Sequence, residues 1–190
     1  MSCKFDIYNI DNGNFFKEKR MIFIYGEINE QTAFDVTTKI KYLDYLDSDK
    51  EITIEINSYG GDVLSGLAII DTMKCVAAPI KIIVSGLAAS MAALIASAGT
   101  KGLRYALPHS SIMIHQPLGG VRWAQATDIQ IYANNITKTK QMINELLASN
   151  TNQSIQRIEK DMERDYYMTA KEAVEYGIID HVIQEKGGKS

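Results

Sequence analysis

A chain of 190 residues, 46% hydrophobic and 23% charged, carries enough apolar material for one folded domain, which excludes a disordered or fibrous protein. The net charge is −3 and lysines are scattered among acidic residues, so the chain has no basic stripe and nucleic acid is excluded as an expected partner. The apolar run Met91–Ala98 is too short to cross a bilayer, and the N-terminus lacks the features of a secretory signal. Cys3 and Cys75 form neither a CxxC pair nor a disulfide framework, so we expect a cytoplasmic protein without membrane insertion.

Short β-rich runs alternate with longer helical patterns in the first part of the chain. The predicted strands are Met21–Tyr25, Glu51–Asn57, Ile80–Ser85, Leu103–Leu107 and Ser111–His115. The predicted helices are Glu30–Leu46, Asp62–Val76 and Ala89–Ala98, the last with Gly99 as its C-cap. Because the helices start just after strands end, this order predicts a parallel βαβ core.

The pattern changes after a Gly/Pro turn at Gln116–Gly120. Ala124–Ser149 forms one long amphipathic pattern without a helix breaker, which predicts an arm whose apolar face needs a partner. The remaining predicted elements are a helix from Ser154 to about Arg164, a short helix opened by the capping box Thr169–Glu172 and closed by Gly177, and a final strand Ile178–Ile183. The chain has no internal repeat, and we expect a single domain over residues 1–190.

Two loops after predicted strands are candidates for a reactive site, because ligands of open α/β sheets gather at the carboxyl ends of strands. Asn57–Asp62 contains paired glycines, which let a second chain approach closely and form a cradle for an anion or a carbonyl group. Ser85–Met91 is rich in small residues and places Ser90 at the start of a helix, where a nucleophile is exposed. Small residues there are also typical of close helix–sheet packing, so Ser90 needs partners.

A candidate general base lies at the end of an apolar strand. His115 closes Ile112–His115 before a turn, and a strand-end imidazole is suited to proton transfer. His109 and His181 have no comparable setting. The orienting acid stays open at this point, because its contact with the imidazole depends on the fold and not on spacing in the sequence. The candidates are Asp128, Asp161, Asp165 and Asp180.

Several motifs carry a resemblance that runs from about Phe5 to the last predicted strand. They are FDIY at Phe5–Tyr8, INSYGG at Ile56–Gly61, AASM at Ala88–Met91, LP at Leu107–Pro108, MIHQPLGG at Met113–Gly120, QATD at Gln125–Asp128, ERD at Glu163–Asp165 and EAVEYG at Glu172–Gly177. In these motifs the chain resembles the Clp protease family, the ClpP-type proteolytic subunits of self-compartmentalised proteases.

The resemblance implies a serine endopeptidase and assigns its residues. Ser90 is then the nucleophile, His115 the general base and Asp165 the acid that orients the base. The backbone N–H groups of Gly61 and Met91 are implied to form the oxyanion hole.

The resemblance further implies an α/β fold, a ClpP/crotonase-like spiral of ββα units with a projecting handle helix. The head is expected at about residues 1–115 and 150–190, and the handle at about 116–149. Substrate is expected to bind as an added strand through main-chain hydrogen bonds. The implied substrate-binding residues are Gly61, Asp62, Val63, Leu118, Gly119 and Gly120.

Family membership also implies an assembly and its partners. Copies of the chain are expected to form heptameric rings stacked as a tetradecamer, with Glu163 and Arg164 at the ring–ring contact. An AAA+ Clp unfoldase would use ATP and deliver unfolded polypeptide substrates. The subunit itself is expected to need no cofactor and no metal.

Three departures from the family pattern bear on function. Tyr59 stands where most relatives have proline and Asp62 replaces an apolar residue, so the cleft preference is expected to differ. Trp123 and one extra residue before Gln125 alter the entry to the handle. Only Met1–Lys4 precede the FDIY motif, so we expect short axial loops and weak unfoldase docking, which a paralogous ClpP subunit would restore.

Two alternatives remain at this point. The first is a divergent ring subunit that acts mainly in mixed assemblies with a typical ClpP. The second is a crotonase-fold enzyme that uses paired backbone donors on an acyl-CoA, against which the serine, histidine and aspartate set argues.

Overall fold

The computed structural model describes residues 12–120 and 123–184. Its strands are β1 Met21–Ile28, β2 Ile52–Gly61, β3 Ile80–Ala89, β4 Arg104–Ala106, β5 Ser111–Ile114, β6 Tyr166–Thr169 and β7 His181–Val182. Its helices are α1 Asn12–Lys19, α2 Glu30–Leu46, α3 Val63–Cys75, α4 Met91–Ser97, α5 Ala126–Thr151, α6 Ile155–Asp161 and α7 Ala170–Tyr176. The FDIY motif and Met1–Lys4, including Cys3, lie outside the described residues.

A parallel sheet forms the centre of the fold, as the alternation of strands and helices predicts. β1, β2, β3, β4 and β7 lie side by side in that order, and each neighbouring pair is parallel. β5 adds to the C-terminal part of β3 in parallel, and β6 pairs with β5 antiparallel. The mixed α/β architecture confirms the predicted fold class.

Alternating isoleucines explain why the strands form and which face they bury. In the first part of β1, β2 and β3, every second residue is a buried apolar side chain: Ile22, Ile24, Ile52, Ile54, Ile56, Ile80, Ile82 and Val84. Period-two alternation places all of them on one face of the sheet. α4, whose seven residues are all buried, contacts β2 and β3 on the core side, and α3 packs between α2 and α4.

The helix caps agree with the local sequence signals at most positions. Asn29 caps α2, and its side chain accepts a hydrogen bond from the Thr32 N–H. Thr169 and Glu172 form the predicted capping box of α7, and Gly177 ends that helix with a φ of 93°. These contacts satisfy backbone groups that have no partner within the helix.

The prediction for the end of α4 is wrong. Ala98, in an ordinary right-handed helical conformation, is the C-cap, whereas Gly99 was the expected cap. A Cβ atom at position 99 would lie 2.5 Å from Ile82 Cγ1, so this glycine is required for close packing against β3. α4 also begins at Met91 because β3 continues through Ala89, later than the predicted helix start.

Three further differences concern short elements. α1 and β6 were not predicted, and the final strand contains only His181–Val182. β6 has four residues directly before the capping box, too few for a periodic signal. Its pairing with β5 makes it a strand, and that pairing is a tertiary contact.

α5 is the long predicted arm, shifted by two residues to Ala126–Thr151. Ile143 and Leu147 bury its C-terminal part in the core, while Ile129, Ile131 and Met142 are at least half exposed. No helix among residues 12–120 and 123–184 is long and apolar enough to cross a membrane.

Candidate active site

Ser90 occupies the sharp turn between β3 and α4. Its backbone has φ 57° and ψ −125°, a conformation that non-glycine residues rarely adopt. The Ser90 N–H donates to the Met113 carbonyl at 2.8 Å, which ties the turn to β5. The side chain does not cap α4, so its hydroxyl is available to another partner. Such strained turns from a strand into a helix present nucleophiles in hydrolases.

The register of β5 and β6 places His115 opposite Asp165. Ile114 pairs with Tyr166 in the antiparallel ladder. The residue after Ile114, His115, therefore faces the residue before Tyr166, Asp165. His115 Nδ1 lies 3.0 Å from Asp165 Oδ1, and His115 Nε2 lies 2.9 Å from Ser90 Oγ. The His115 side chain is 15% exposed and that of Asp165 is 57% exposed, so the acid lies at the mouth of the site.

The other three candidate acids have different partners or positions. Asp161 accepts hydrogen bonds from Arg157 and from the Tyr176 hydroxyl. Asp128 lies in the first turn of α5 and is exposed. The structure therefore brings only one of the four carboxylates to His115.

Asp180 belongs to a buried ion pair far along the sheet from this turn. Its carboxylate accepts two hydrogen bonds from the Arg104 guanidinium, whose side chain is 4% exposed, and further bonds from the backbone of Gly102 and Arg104. Burial opposes ionisation of Asp180, but the bonds from Arg104 outweigh it and hold the pKa of Asp180 below its usual value.

Of the paired glycines, Gly60 packs directly against the nucleophile turn and Gly61 packs against Ile28 of β1. Gly60 has φ 93°, and a Cβ atom there would lie 2.7 Å from the Ala89 carbonyl oxygen and 2.8 Å from Ser90 Cβ. A Cβ atom at Gly61 would lie 2.2 Å from the Ile28 carbonyl oxygen. Only glycine fits at either position, and the two loops identified in the sequence therefore meet in space. Met91 follows Ser90 as the first residue of α4.

A cleft of about 240 Å³ separates the two segments expected to hold substrate. Its lining residues are Asp62, Val63, Leu64, Pro117, Leu118, Tyr132, Asn135, Ile136 and Thr139. The side chain of Asp62 caps α3 by accepting from the Ser65 N–H at 2.7 Å, which accounts for an acid at this position. Tyr59 is 60% exposed beside the glycines, and Leu118 is 80% exposed.

Gly119 and Gly120 differ in their surroundings. A Cβ atom at Gly119 would lie 2.1 Å from the Tyr132 hydroxyl oxygen, whereas one at Gly120 would meet nothing within 4 Å. The segment Leu118–Gly120 therefore rests against α5 at Gly119.

A polar cluster next to the site contains two residues that sequence reasoning missed. Lys140 of α5 donates to Gln116 at 2.8 Å and pairs with Glu163 at 3.3 Å. Gln116 directly follows His115, which is the signal that could have identified it. Lys140 carries no such signal, because a lysine on an amphipathic helix is typical of an exposed face. Arg164, the neighbour of Glu163, is exposed.

The described residues, 12–120 and 123–184, contain no group of three or more His, Cys, Asp or Glu side chains that could hold a metal ion.

Comparisons with known proteins identify a family for this chain. The chain matches the Clp protease family over residues 6–186. It is 52% identical over 167 residues to the ATP-dependent Clp protease proteolytic subunit of Ligilactobacillus salivarius (strain UCC118), a match that covers 88% of this chain and 84% of that protein. Neither a ring subunit acting mainly in mixed assemblies nor an acyl-CoA enzyme is favoured by these matches. The chain therefore belongs to the Clp protease family and is a Clp-type serine protease.

Proposed function

We propose that Ser90, His115 and Asp165 are the catalytic residues with which this protease hydrolyses peptide bonds of unfolded polypeptides. The observation that carries the proposal is the continuous path of two hydrogen bonds, 2.9 Å from Ser90 Oγ to His115 Nε2 and 3.0 Å from His115 Nδ1 to Asp165 Oδ1. Both distances fall in the range in which a serine, a base and an orienting acid act together.

The chemistry proceeds in two acyl-transfer steps. His115 Nε2 accepts the proton of Ser90 Oγ as the oxygen attacks the substrate carbonyl, and it then donates that proton to the departing amine. A water molecule attacks the resulting ester while His115 accepts one of its protons, and Ser90 recovers a proton as the acid product leaves. Asp165 holds the imidazole so that Nε2 faces the serine, and it stabilises the imidazolium.

Backbone N–H groups near Ser90 stabilise the negative charge that develops on the carbonyl oxygen of the substrate. The N–H groups of Gly61 and Met91 act as donors of this oxyanion hole. Support comes from the packing of Gly60, the residue before Gly61, against Ser90, where a Cβ atom at Gly60 would lie 3.1 Å from the Met91 nitrogen.

Substrate binds in extended form between Gly61–Val63 and Leu118–Gly120. The cleft between these segments supports this placement, since Asp62, Val63 and Leu118 all line it. Main-chain hydrogen bonds from such strands recognise any sequence, so the class of substrate is unfolded polypeptide. Exposed Tyr59 at the rim tunes which side chains are preferred.

The working particle is an assembly of copies of this chain, heptameric rings stacked as a tetradecamer, supplied by an AAA+ Clp unfoldase that consumes ATP. The exposed apolar residues Ile129, Ile131 and Met142 of α5 support association, because an isolated chain leaves them in water. Glu163 and Arg164 lie at the ring–ring contact. The subunit itself uses neither a cofactor nor a metal, and it acts in the cytoplasm.

The direct test compares Ser90→Ala with Ser85→Ala. Ser85 lies in β3, just before the nucleophile turn, and its hydroxyl donates to the Glu55 carboxylate. A fluorogenic peptide and a fluorophosphonate probe report hydrolysis and serine labelling. Ser90→Ala should lose roughly a thousandfold or more of kcat/KM and all labelling, while Ser85→Ala keeps both. Substantial hydrolysis by correctly assembled Ser90→Ala would refute the proposal.

A further inference from the structure

Three side chains from three separate segments join in a hydrogen-bonded bracket beside the site. Lys140 Nζ donates to Gln116 Oε1 at 2.8 Å and to Glu163 Oε2 at 3.3 Å. Gln116 Nε2 donates to the Glu163 carbonyl oxygen at 3.1 Å. We call these three residues the Lys140 bracket. It links α5 to the end of β5 and to the loop between α6 and β6.

The bracket ties together the two chain segments that carry His115 and Asp165. Gln116 directly follows His115, and Glu163 lies two residues before Asp165. The Gln116 N–H also donates to the Met162 carbonyl oxygen at 2.7 Å, so the two segments are tied by backbone as well. Lys140 is the member that adds a support from outside these two segments.

The acid side of the contact has little other support from packing. The Asp165 side chain is 57% exposed, and β6 begins only at Tyr166. An exposed carboxylate keeps its place through the backbone that carries it. The restraint on that backbone therefore decides how well Asp165 orients His115.

We propose that Lys140 is a positioning residue for catalysis: through the bracket it holds the loop carrying Asp165 against the strand end carrying His115. The inference rests on the proposed catalytic roles of these two residues. The ammonium group can serve two acceptors at once because it has three N–H donors and a full charge.

The effect should appear in the rate more than in stability. The side chain of Lys140 is 33% exposed and that of Glu163 60% exposed, and ion pairs at such exposure add little to the free energy of folding. Catalytic rate, in contrast, falls steeply when reacting groups are displaced, by about a hundredfold for 1 Å. A displacement of a few tenths of an ångström then corresponds to a loss of roughly tenfold.

The experiment uses the assembled full chain and three substitutions. Lys140→Met removes the donor and keeps the aliphatic stem, Lys140→Arg keeps charge and donors, and Lys138→Met changes an exposed lysine on the same helix. kcat and KM are measured with a fluorogenic peptide, and the rate of fluorophosphonate labelling reports the reactivity of Ser90. Native mass spectrometry checks that each particle assembles.

We expect Lys140→Met to lower kcat and the labelling rate by about tenfold with KM within about twofold. Lys140→Arg should recover most of the rate, and Lys138→Met should match the parent. A parent-like kcat for assembled Lys140→Met, or a change confined to KM, would overturn the inference.

Glu163→Gln tests the same inference if Lys140→Met does not assemble. It removes the charge of the acceptor and leaves the Glu163 backbone bond to Gln116 in place. We expect about threefold loss of kcat for Glu163→Gln alone. Where Lys140→Met does assemble, the double variant should lose no more than Lys140→Met alone, because both changes open the same bracket. An unchanged kcat in Glu163→Gln then counts against the inference. Activity of Ser90→Ala in the same assay would instead defeat the proposed function, so the two failures are distinguishable.

Discussion

Adding one methyl group at Gly60 should disturb the nucleophile without replacing any reactive group. The Cβ atom of alanine would lie 2.7 Å from the Ala89 carbonyl oxygen, 2.8 Å from Ser90 Cβ and 3.1 Å from the Met91 nitrogen. Two of these contacts are closer than real Cβ atoms approach, so the turn at Ser90 must move. A shift of the turn by about 0.5–1 Å would relieve them, and displacement of the nucleophile by that amount costs on the order of tenfold to a hundredfold in rate.

Gly26→Ala supplies a matched control. Gly26 has a positive φ of 73°, comparable with the 93° of Gly60, but a Cβ atom there would meet nothing within 4 Å. Both substitutions place alanine in a left-handed conformation and should lower the free energy of unfolding by about 1–2 kcal/mol. Gly60→Ala should lose about 1–3 kcal/mol more, because its methyl group overpacks the turn.

The assay measures kcat/KM with a fluorogenic peptide. The concentration of active sites is determined by fluorophosphonate labelling carried to completion, so that the rate is expressed per reactive serine. Gly60→Ala should fall by about tenfold to a hundredfold, whereas Gly26→Ala should remain within about twofold of the parent. Melting temperatures measured alongside separate stability from rate. Equal activity of the two folded variants would refute the reasoning, since only one of them touches Ser90.

Three further changes test separate contacts. Asp165→Asn should lower kcat/KM by about ten-thousandfold, because an amide N–H facing His115 Nδ1 favours the wrong imidazole tautomer; near-parent hydrolysis of a fluorogenic peptide would contradict this. Arg104→Met leaves the buried Asp180 carboxylate without its guanidinium and should lower the free energy of unfolding by about 3–5 kcal/mol in urea titrations. Lys39→Met, which breaks an exposed pair within α2, should cost less than about 1 kcal/mol, and equal losses would oppose the argument. Because the pKa of Asp180 is lowered in the folded protein, its stabilisation is present above its unfolded pKa of about 3.9 and is lost as the pH falls through the lower folded value. Unfolding free energies should be measured from about pH 5 to about pH 2, a range that brackets the titration of Asp180. Over this range the free energy of unfolding should fall more for the parent than for Asp180→Asn.

Elements with strong local periodicity were predictable from the sequence. α2 has the predicted bounds Glu30–Leu46, and the short β-rich runs identified β1, β2 and β3. The capping box at Thr169–Glu172 located the start of α7. In each case, the deciding interactions join residues a few positions apart, so a short window of sequence contains them.

β6 and the end of α4 were not predictable in this way. Tyr166–Thr169 is a strand because β5 lies beside it. Position 99 needs a glycine because a side chain there would meet Ile82, and this packing constraint is not visible in the neighbouring sequence. Both depend on segments brought together by the fold. A local pattern carries no record of such contacts.

The sequence by itself determined the two loops of the site, the hypothesis that Ser90 and His115 act together, and, through its motifs, the resemblance to the Clp protease family. That resemblance also implied Asp165 as the acid, whereas reasoning from the residues left four aspartates open, and the tertiary structure shows which of them meets the imidazole in space. The physical reason is the β5–β6 register, which sets Asp165 opposite His115 across 50 residues of chain while Arg104 engages Asp180. Lys140 reaches the same contact from α5, 24 residues beyond Gln116, and only the packing of α5 against the strand end brings it there.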